Sequence, residues 1–146
     1  MTGYVQNPAD NDTALGADGW LYTGDIGRLD EKGYLTVVGR RKEMFITGGF
    51  NVYPAEIEAY LAEHPKVAFC ACLGKPDPVM GEIGVAFVAP RRGVPLTVQE
   101  MRVHCRHGLA RYKTPAEFRI VDSLPLTIAG KAVSYTHLTL PTSDLV

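Results

Sequence analysis

Short apolar runs alternate with polar turn residues along the first third of the chain, and this pattern predicts a β hairpin. Residues 26–29 and 34–38 are β-prone and flank a four-residue turn at 30–33, in which we expect Gly33 to adopt a positive φ. Residues 20–22 are a further candidate strand. The polar residues before them predict a loop.

Helical spacing begins at Pro54, which suits the first turn of a helix because its missing N–H is not needed there. Apolar residues then recur with the spacing of one helix face as far as Leu61. A second helix is predicted to begin at a capping box formed by Thr97 and Glu100. Its apolar positions are Val98, Met101, Cys105 and Leu109.

The remaining apolar runs predict a small sheet. Residues 67–73 and 83–89 are strongly apolar, so we expect two central strands with a turn at 74–78 between them. Shorter strands are expected at 44–47, 50–53 and 118–121. This order predicts an α+β fold, in which helices pack on one face of a small sheet that follows the hairpin.

The composition of the chain argues against several classes of protein. The 146 residues include 15 Lys and Arg against 16 Asp and Glu, a formal net charge of −1, which argues against nucleic-acid binding. A hydrophobic content of 46% excludes a disordered tail protein. No apolar run approaches the roughly 18 residues of a transmembrane segment, and no signal peptide is expected at the start.

The cysteines and histidines predict neither disulfides nor a metal site. Cys70, Cys72 and Cys105 are an odd number without a disulfide framework, which favours a reducing, cytoplasmic compartment. Cys70 and Cys72 lie on one apolar strand with the wrong spacing for a zinc pair. His104 and His107 lack a further group of ligands, so no metal-binding residue is expected.

Candidate binding residues occur in four segments. Asp25 follows a glycine turn, where a carboxylate can accept hydrogen bonds from a vicinal diol such as ribose. Arg40 follows a strand, and Gly48-Gly49 allows a ligand to approach the backbone closely. Lys131 ends a polar loop from which its ammonium can reach a phosphate or carboxylate. Taken singly, each is also explained by a turn or a solvated charge.

These motifs occur together in one order, with one set of gaps: Tyr22-Thr23-Gly24-Asp25, Gly39-Arg40-x-Lys42, Gly48-Gly49-x-Asn51-x-x-Pro54-x-Glu56-x-Glu58 and Pro125-x-Thr127-x-x-Gly130-Lys131. As a set they resemble the C-terminal part of the adenylate-forming (AMP-binding) superfamily, which includes acyl-CoA synthetases, peptide-synthetase adenylation domains and firefly luciferase. The resemblance extends from about residue 3 to residue 131. Residues 48–54 are most similar to acyl-CoA ligases.

The resemblance implies an acid–thiol ligase with two half-reactions. A carboxylic acid attacks ATP in the presence of Mg²⁺ to give an acyl-adenylate, and coenzyme A then attacks the adenylate. It also implies nucleotide binding by Asp25 and Arg40, a hinge at Lys42, and Lys131 as the catalytic residue, whose charge would stabilise the developing charge of the first half-reaction. The residues implied in coenzyme A binding are Gly48, Gly49, Phe50, Tyr112 and Lys113.

The same resemblance implies a domain organisation and a missing partner. Residues 1–41 would be the end of a large N-terminal AMP-binding domain, and residues 42–131 the small C-terminal domain. Residues 132–146 depart from the family pattern, so we expect a disordered or artefactual tail there. Without the N-terminal domain, which would hold the phosphate loop and the acid pocket, this chain is expected to be inactive alone. The alternatives are a peptide-synthetase adenylation domain and a stand-alone, non-catalytic binding module.

Overall fold

The computed structural model of the protein describes residues 14–125. Lys131 and the expected tail at 132–146 lie outside the described residues. The chain divides into two compact units, the first ending at Lys42 and the second beginning at Glu43. No helix within the described part is long and apolar enough to cross a membrane.

The first unit contains the predicted hairpin, an antiparallel pair of β1 (Asp25–Leu29) and β2 (Leu35–Arg40). In the turn between them, the carboxylate of Asp30 accepts a hydrogen bond of 2.8 Å from the backbone N–H of Tyr34. Gly33 has a φ of +84°, as predicted, which a residue with a side chain rarely adopts.

The strand predicted at residues 20–22 is wrong. Leu21 forms an isolated bridge with Leu15 rather than a ladder. A tight turn closed by a 2.9 Å hydrogen bond from the N–H of Gly19 to the carbonyl of Gly16 reverses the chain between them. The two arms therefore meet at one residue pair, which is too short a contact to form a strand.

Within residues 43–125, the second unit contains two α-helices and a five-stranded sheet. Its elements are β3 (Phe45–Thr47), β4 (Phe50–Val52), α1 (Pro54–Ala62), β5 (Val67–Asp77), β6 (Gly81–Pro90), α2 (Val98–Gly108), a 3-10 helix (Arg111–Lys113) and β7 (Glu117–Ile120). The sheet order is β4-β3-β6-β5, and β7 pairs with β6 in parallel while the other pairings are antiparallel.

Both helices begin where the sequence predicts. Pro54 is at the start of α1. At α2 the Thr97 side chain accepts a hydrogen bond from the N–H of Glu100, whose carboxylate accepts one from the N–H of Thr97. The carboxylate of Glu100 is also bound by the ammonium of Lys66, and these contacts lower its pKa to about 2.

The turn predicted at residues 74–78 is wrong in its position, because β5 continues to Asp77 in register with β6. Among the described residues β5 pairs only with β6, so it is an edge strand rather than the predicted central one. An edge strand tolerates Pro76 because only one side of its backbone is paired. The reversal lies instead between Asp77 and Gly81, where the Asp77 carboxylate accepts hydrogen bonds from two backbone N–H groups.

Alternate residues of β5 and β6 face two buried clusters on opposite sides of the sheet. Both helices pack on one side, as predicted, and their fully buried residues include Ile57, Leu61 and Met101. The cluster on the other side consists of Ala71, Val85, Phe87, Ala89 and Leu124. The sheet is therefore packed on both faces, and the loops and the short helix at its edge are attached to it.

The three cysteines are free thiols within this packing. Burial raises the pKa of Cys70 to about 12 and that of Cys105 to about 11, and it raises the pKa of Cys72 as well. A thiol that is held protonated is a poor nucleophile and a poor metal ligand. These cysteines therefore contribute to packing.

Candidate functional site

The structure brings the candidate site residues into two groups, one in each unit. Asp25 and Arg40 form the first group, on the hairpin. The second group includes the glycine turn between β3 and β4 and the 3-10 helix, which are some 60 positions apart in the sequence. No set of three or more His, Cys, Asp or Glu residues within 14–125 is placed to hold a metal ion, so we assign none of them to Mg²⁺.

Asp25 and Arg40 lie directly opposite each other, at the open end of the hairpin. The Arg40 Nε atom is 3.3 Å from the Asp25 Oδ1 atom. The Asp25 backbone N–H donates to the Thr23 hydroxyl, which fixes the start of the strand. The side chain of Asp25 remains 36% exposed and that of Arg40 64% exposed, so the pair is accessible to a ligand. A carboxylate held this way has a second oxygen free to accept hydrogen bonds from hydroxyl groups.

Lys42 is exposed, in the turn that follows β2. It is the last residue of the first compact unit. The residue expected to be the hinge is therefore the last one before the boundary between the two units.

The glycine turn favours glycine at Gly48 because its φ of +56° is one that residues with a side chain rarely adopt. A Cβ atom there would lie 2.7 Å from the Met80 Cε atom, the end of a flexible side chain that can move aside. The N–H of Gly48 donates a 2.9 Å hydrogen bond to the carbonyl of Met80. Gly49 also has a positive φ, of +85°, but a Cβ there would meet nothing within 4 Å. Gly48 thus joins the turn to the β5–β6 reversal, and Gly49 leaves the outer side of the turn open.

Phe50, directly after this turn, stacks on Tyr112 of the 3-10 helix, with ring centroids 4.6 Å apart and planes inclined by 24°. Both rings remain partly exposed. Beside them is a cleft of about 500 Å³, whose lining includes Gly48, Phe50, Met80, Gly84, Arg111 and Tyr112. A cleft with aromatic walls and one cation fits a flat ring or an apolar arm that carries negative charge.

Lys113 points away from this cleft toward α1. Its ammonium is 2.6 Å from the Glu56 Oε1 atom and 5.7 Å from the centroid of the Tyr112 ring. The hydrogen bond to Glu56 raises the pKa of Lys113. The predicted binding residue Lys113 is therefore also a structural contact between the 3-10 helix and α1.

Sequence reasoning did not identify Arg111 or Met80 as lining residues. Arg111 could have been identified from its position beside Tyr112, because both residues belong to one turn of helix. No local sequence feature indicates Met80. It lines the cleft because β5 continues to Asp77 and the chain reversal follows that residue.

Known proteins are similar to this chain in sequence and in fold. The chain is 46% identical over 133 residues to a methyl-dioxo-octahydroindenyl-propanoyl:CoA ligase of Rhodococcus jostii (strain RHA1), a match that covers 91% of this chain and 26% of the ligase. It is 44% identical over 131 residues to a sulfoacetate–CoA ligase of Cupriavidus necator, covering 90% of this chain and 26% of that enzyme.

Among solved structures, the fold is similar to the o-succinylbenzoate CoA synthetase of Bacillus subtilis in complex with its acyl-adenylate intermediate. The TM-score is 0.81 at 37% identity, and the match covers 90% of this chain and 27% of the synthetase. The chain thus spans about a quarter of the length of these relatives. The resemblance seen in the sequence motifs is confirmed. The sequence profile of the AMP-binding enzyme C-terminal domain matches residues 56–131, more than half of the chain, and the chain therefore belongs to that family.

Proposed function

We propose that this chain is the C-terminal part of an ATP-dependent acyl-CoA ligase, which activates a carboxylic acid as an acyl-adenylate and transfers the acyl group to coenzyme A. The observation that carries the proposal is what the three relatives share. Their names give three different acids but one thiol, coenzyme A. A region that is similar across ligases for such different acids fits a role in the steps that they have in common.

The proposal includes partners that this chain does not contain. Because the relatives are between three and four times as long as this chain, we propose that a large N-terminal AMP-binding domain, as residues 1–41 suggest, completes the enzyme and selects the acid. The substrates would be a small carboxylic acid, ATP with Mg²⁺, and coenzyme A. The Bacillus subtilis synthetase has also been solved with ATP and a magnesium ion. A cytoplasmic location fits these soluble substrates and the free thiols.

For the nucleotide we propose the pair on the hairpin. Asp25 would accept hydrogen bonds from the ribose hydroxyls of ATP, since one of its oxygens is engaged by Arg40 and the other is not. Arg40 would orient that carboxylate and add positive charge beside the phosphates. Their placement directly opposite each other in the hairpin supports a shared ligand.

For the thiol we propose the cleft between the glycine turn and the 3-10 helix. Gly48 and Gly49 keep the turn free of side chains, which suits the narrow pantetheine arm of coenzyme A. Phe50 and Tyr112 offer aromatic surface, and Lys113 lies behind them. We propose that the two glycines and the two rings form the wall along which coenzyme A lies, and that Lys113 contributes from behind this wall.

We propose that the part of the chain after Lys42 rotates about this residue between the two half-reactions. The rotation would remove Lys131 from the reacting centre and bring the glycine turn there. The division of the chain after Lys42 supports the position of this hinge. Lys131 would act in the first half-reaction, by placing its positive charge near the carboxylate and the α-phosphate.

The test is to join the 146 residues to the N-terminal three quarters of a related CoA ligase and to measure thioester formation with ATP, coenzyme A and that enzyme's acid. We expect activity in the joined protein and none in the 146 residues alone. Lys131→Ala should reduce adenylate formation, measured as acyl-hydroxamate, by about a hundredfold or more. Lys32→Ala, an exposed lysine in the hairpin turn, is the matched control. A folded, joined protein that forms adenylate equally well with Lys131→Ala would contradict the proposal.

A further inference from the structure

Two cations flank Tyr112 in the 3-10 helix, and the structure gives them different surroundings. We infer that Arg111, and not Lys113, provides the charge with which the cleft binds the phosphate groups of coenzyme A, and that Glu56 is a positioning residue that acts through Lys113. This inference rests on the proposed function, because it assumes that coenzyme A is the ligand of the cleft.

The first argument is direction. Successive residues of a 3-10 helix point about 120° apart, so Arg111, Tyr112 and Lys113 face three different sides. Arg111 lines the cleft. Lys113 faces α1, where it meets Glu56. Arg111 is therefore the cationic residue beside an anion that enters the cleft.

The second argument is charge. The guanidinium of Arg111 is exposed and makes no hydrogen bond or ion pair with residues 14–125. The ammonium of Lys113 is offset by the Glu56 carboxylate at 2.6 Å, so a phosphate would have to displace Glu56 to use that charge fully. Arginine also presents two parallel N–H groups to a phosphate, which lysine does not.

The third argument concerns how the 3-10 helix is held. None of its three residues is buried, so no core side chain anchors it. Its side-chain attachments are the stack of Tyr112 on Phe50 and the ion pair of Lys113 with Glu56. Glu56 belongs to α1 and precedes Ile57, which is fully buried. Through its ion pair with Lys113, Glu56 therefore attaches this single turn of 3-10 helix to α1 and sets the position of Arg111.

The test is to titrate the 146-residue chain with coenzyme A and, separately, with pantetheine, which lacks the phosphates. Binding is followed by NMR at the amides of Gly48 and Phe50 and at the Tyr112 ring. In the unchanged chain we expect coenzyme A to bind more tightly than pantetheine. Its binding should weaken as the salt concentration rises from 50 to 200 mM, because salt screens exposed charges.

Arg111→Ala should weaken coenzyme A binding about tenfold, the loss expected for a charged hydrogen bond, and should remove most of its salt dependence. Pantetheine binding should not change. Arg92→Ala removes the same charge from an exposed site outside the cleft and is the matched control, with no effect expected on either ligand. Lys113→Met should leave the salt dependence of coenzyme A binding in place.

The Glu56→Ala variant tests the positioning role. It should shift the Tyr112 ring signals and weaken coenzyme A more than pantetheine, because only coenzyme A carries the phosphates that Arg111 binds. Glu56→Gln, which keeps an acceptor for Lys113, should restore much of the binding. If Arg111→Ala behaves like Arg92→Ala, or if Lys113→Met removes the salt dependence, the assignment of Arg111 is wrong while the cleft remains the coenzyme A site. If the unchanged chain shows no shift in the cleft with either ligand, both the inference and the proposed coenzyme A site are wrong.

Discussion

The strands of the two units differ in how far their apolar side chains are buried. In the hairpin, Leu29, Leu35 and Val37 are each more than 60% exposed. In β6, Val85 and Val88 are fully buried. The two regions have similar apolar, β-prone residues, so residue type alone does not explain the difference.

The difference lies in what covers each strand. β6 has strands on both sides and a buried cluster on each face, and both helices contribute to the cluster on one of these faces. The hairpin is a two-stranded sheet, and two strands alone are at best marginally stable in water. The second unit therefore has a core of its own, while the exposed side chains of the hairpin fit the proposal that it belongs to a larger N-terminal domain.

The largest expected effect is in hydrogen exchange. Amides in the interior of β6 should exchange at least about a hundredfold more slowly than those of β1 and β2, because they open only when the core unfolds. Exchange followed by NMR on the 146-residue chain measures both sets at once. Equal protection in the two regions would show that the hairpin is stabilised within this chain.

A matched pair of substitutions tests the same contrast in free energy. Val88→Ala, at a fully buried site, should lower the free energy of unfolding by about 2 kcal/mol through lost burial and the cavity left behind. Val37→Ala, at a site that is 62% exposed, should change it by less than about 0.5 kcal/mol. Urea denaturation gives both values. Similar losses in the two variants would contradict the division into a packed and an uncovered region.

A smaller effect is expected at the start of α2. Thr97→Ala removes the side-chain acceptor for the N–H of Glu100 and should cost about 1 kcal/mol of unfolding free energy. Thr36→Ala, an exposed threonine in β2, is the control and should have almost no effect. A loss no greater than that of the control would mean that the cap does not stabilise the second unit.

The smallest effect depends on pH and concerns Glu58. Its carboxylate accepts a 2.8 Å hydrogen bond from the N–H of Cys72, but burial outweighs this bond and raises its pKa above 4.5. A raised pKa means that the charged form is disfavoured in the fold, so this contribution to stability is full below pH 4.5 and is lost as pH rises through the raised pKa.

Glu58→Gln keeps the acceptor and removes the charge. The variant should therefore gain stability relative to the unchanged chain at pH 7, and this gain should vanish below pH 4.5. Urea denaturation at the two pH values measures the difference. A variant that is less stable than the unchanged chain at pH 7 would show that the hydrogen bond to Cys72 needs the charge.

Local patterns predicted most of the elements, and their errors share one cause. The hairpin, the capping box and the start of α1 depend on neighbouring residues, and each is found where expected. The extension of β5 through Pro76 and its position at the edge depend on pairing with β6, which no local pattern encodes. The strand at 20–22 failed for the same reason, since its partner meets it at one residue only.

The sequence by itself determined the family, because motifs of fixed spacing with glycines and charges are readable without coordinates, and it determined which residues are candidates for binding. Only the tertiary structure decided how those residues combine. It paired Asp25 with Arg40, stacked Phe50 on Tyr112 and directed Lys113 toward Glu56. These contacts join residues from 15 to 62 positions apart. They arise from the way strands pair and helices pack, which depends on the whole chain.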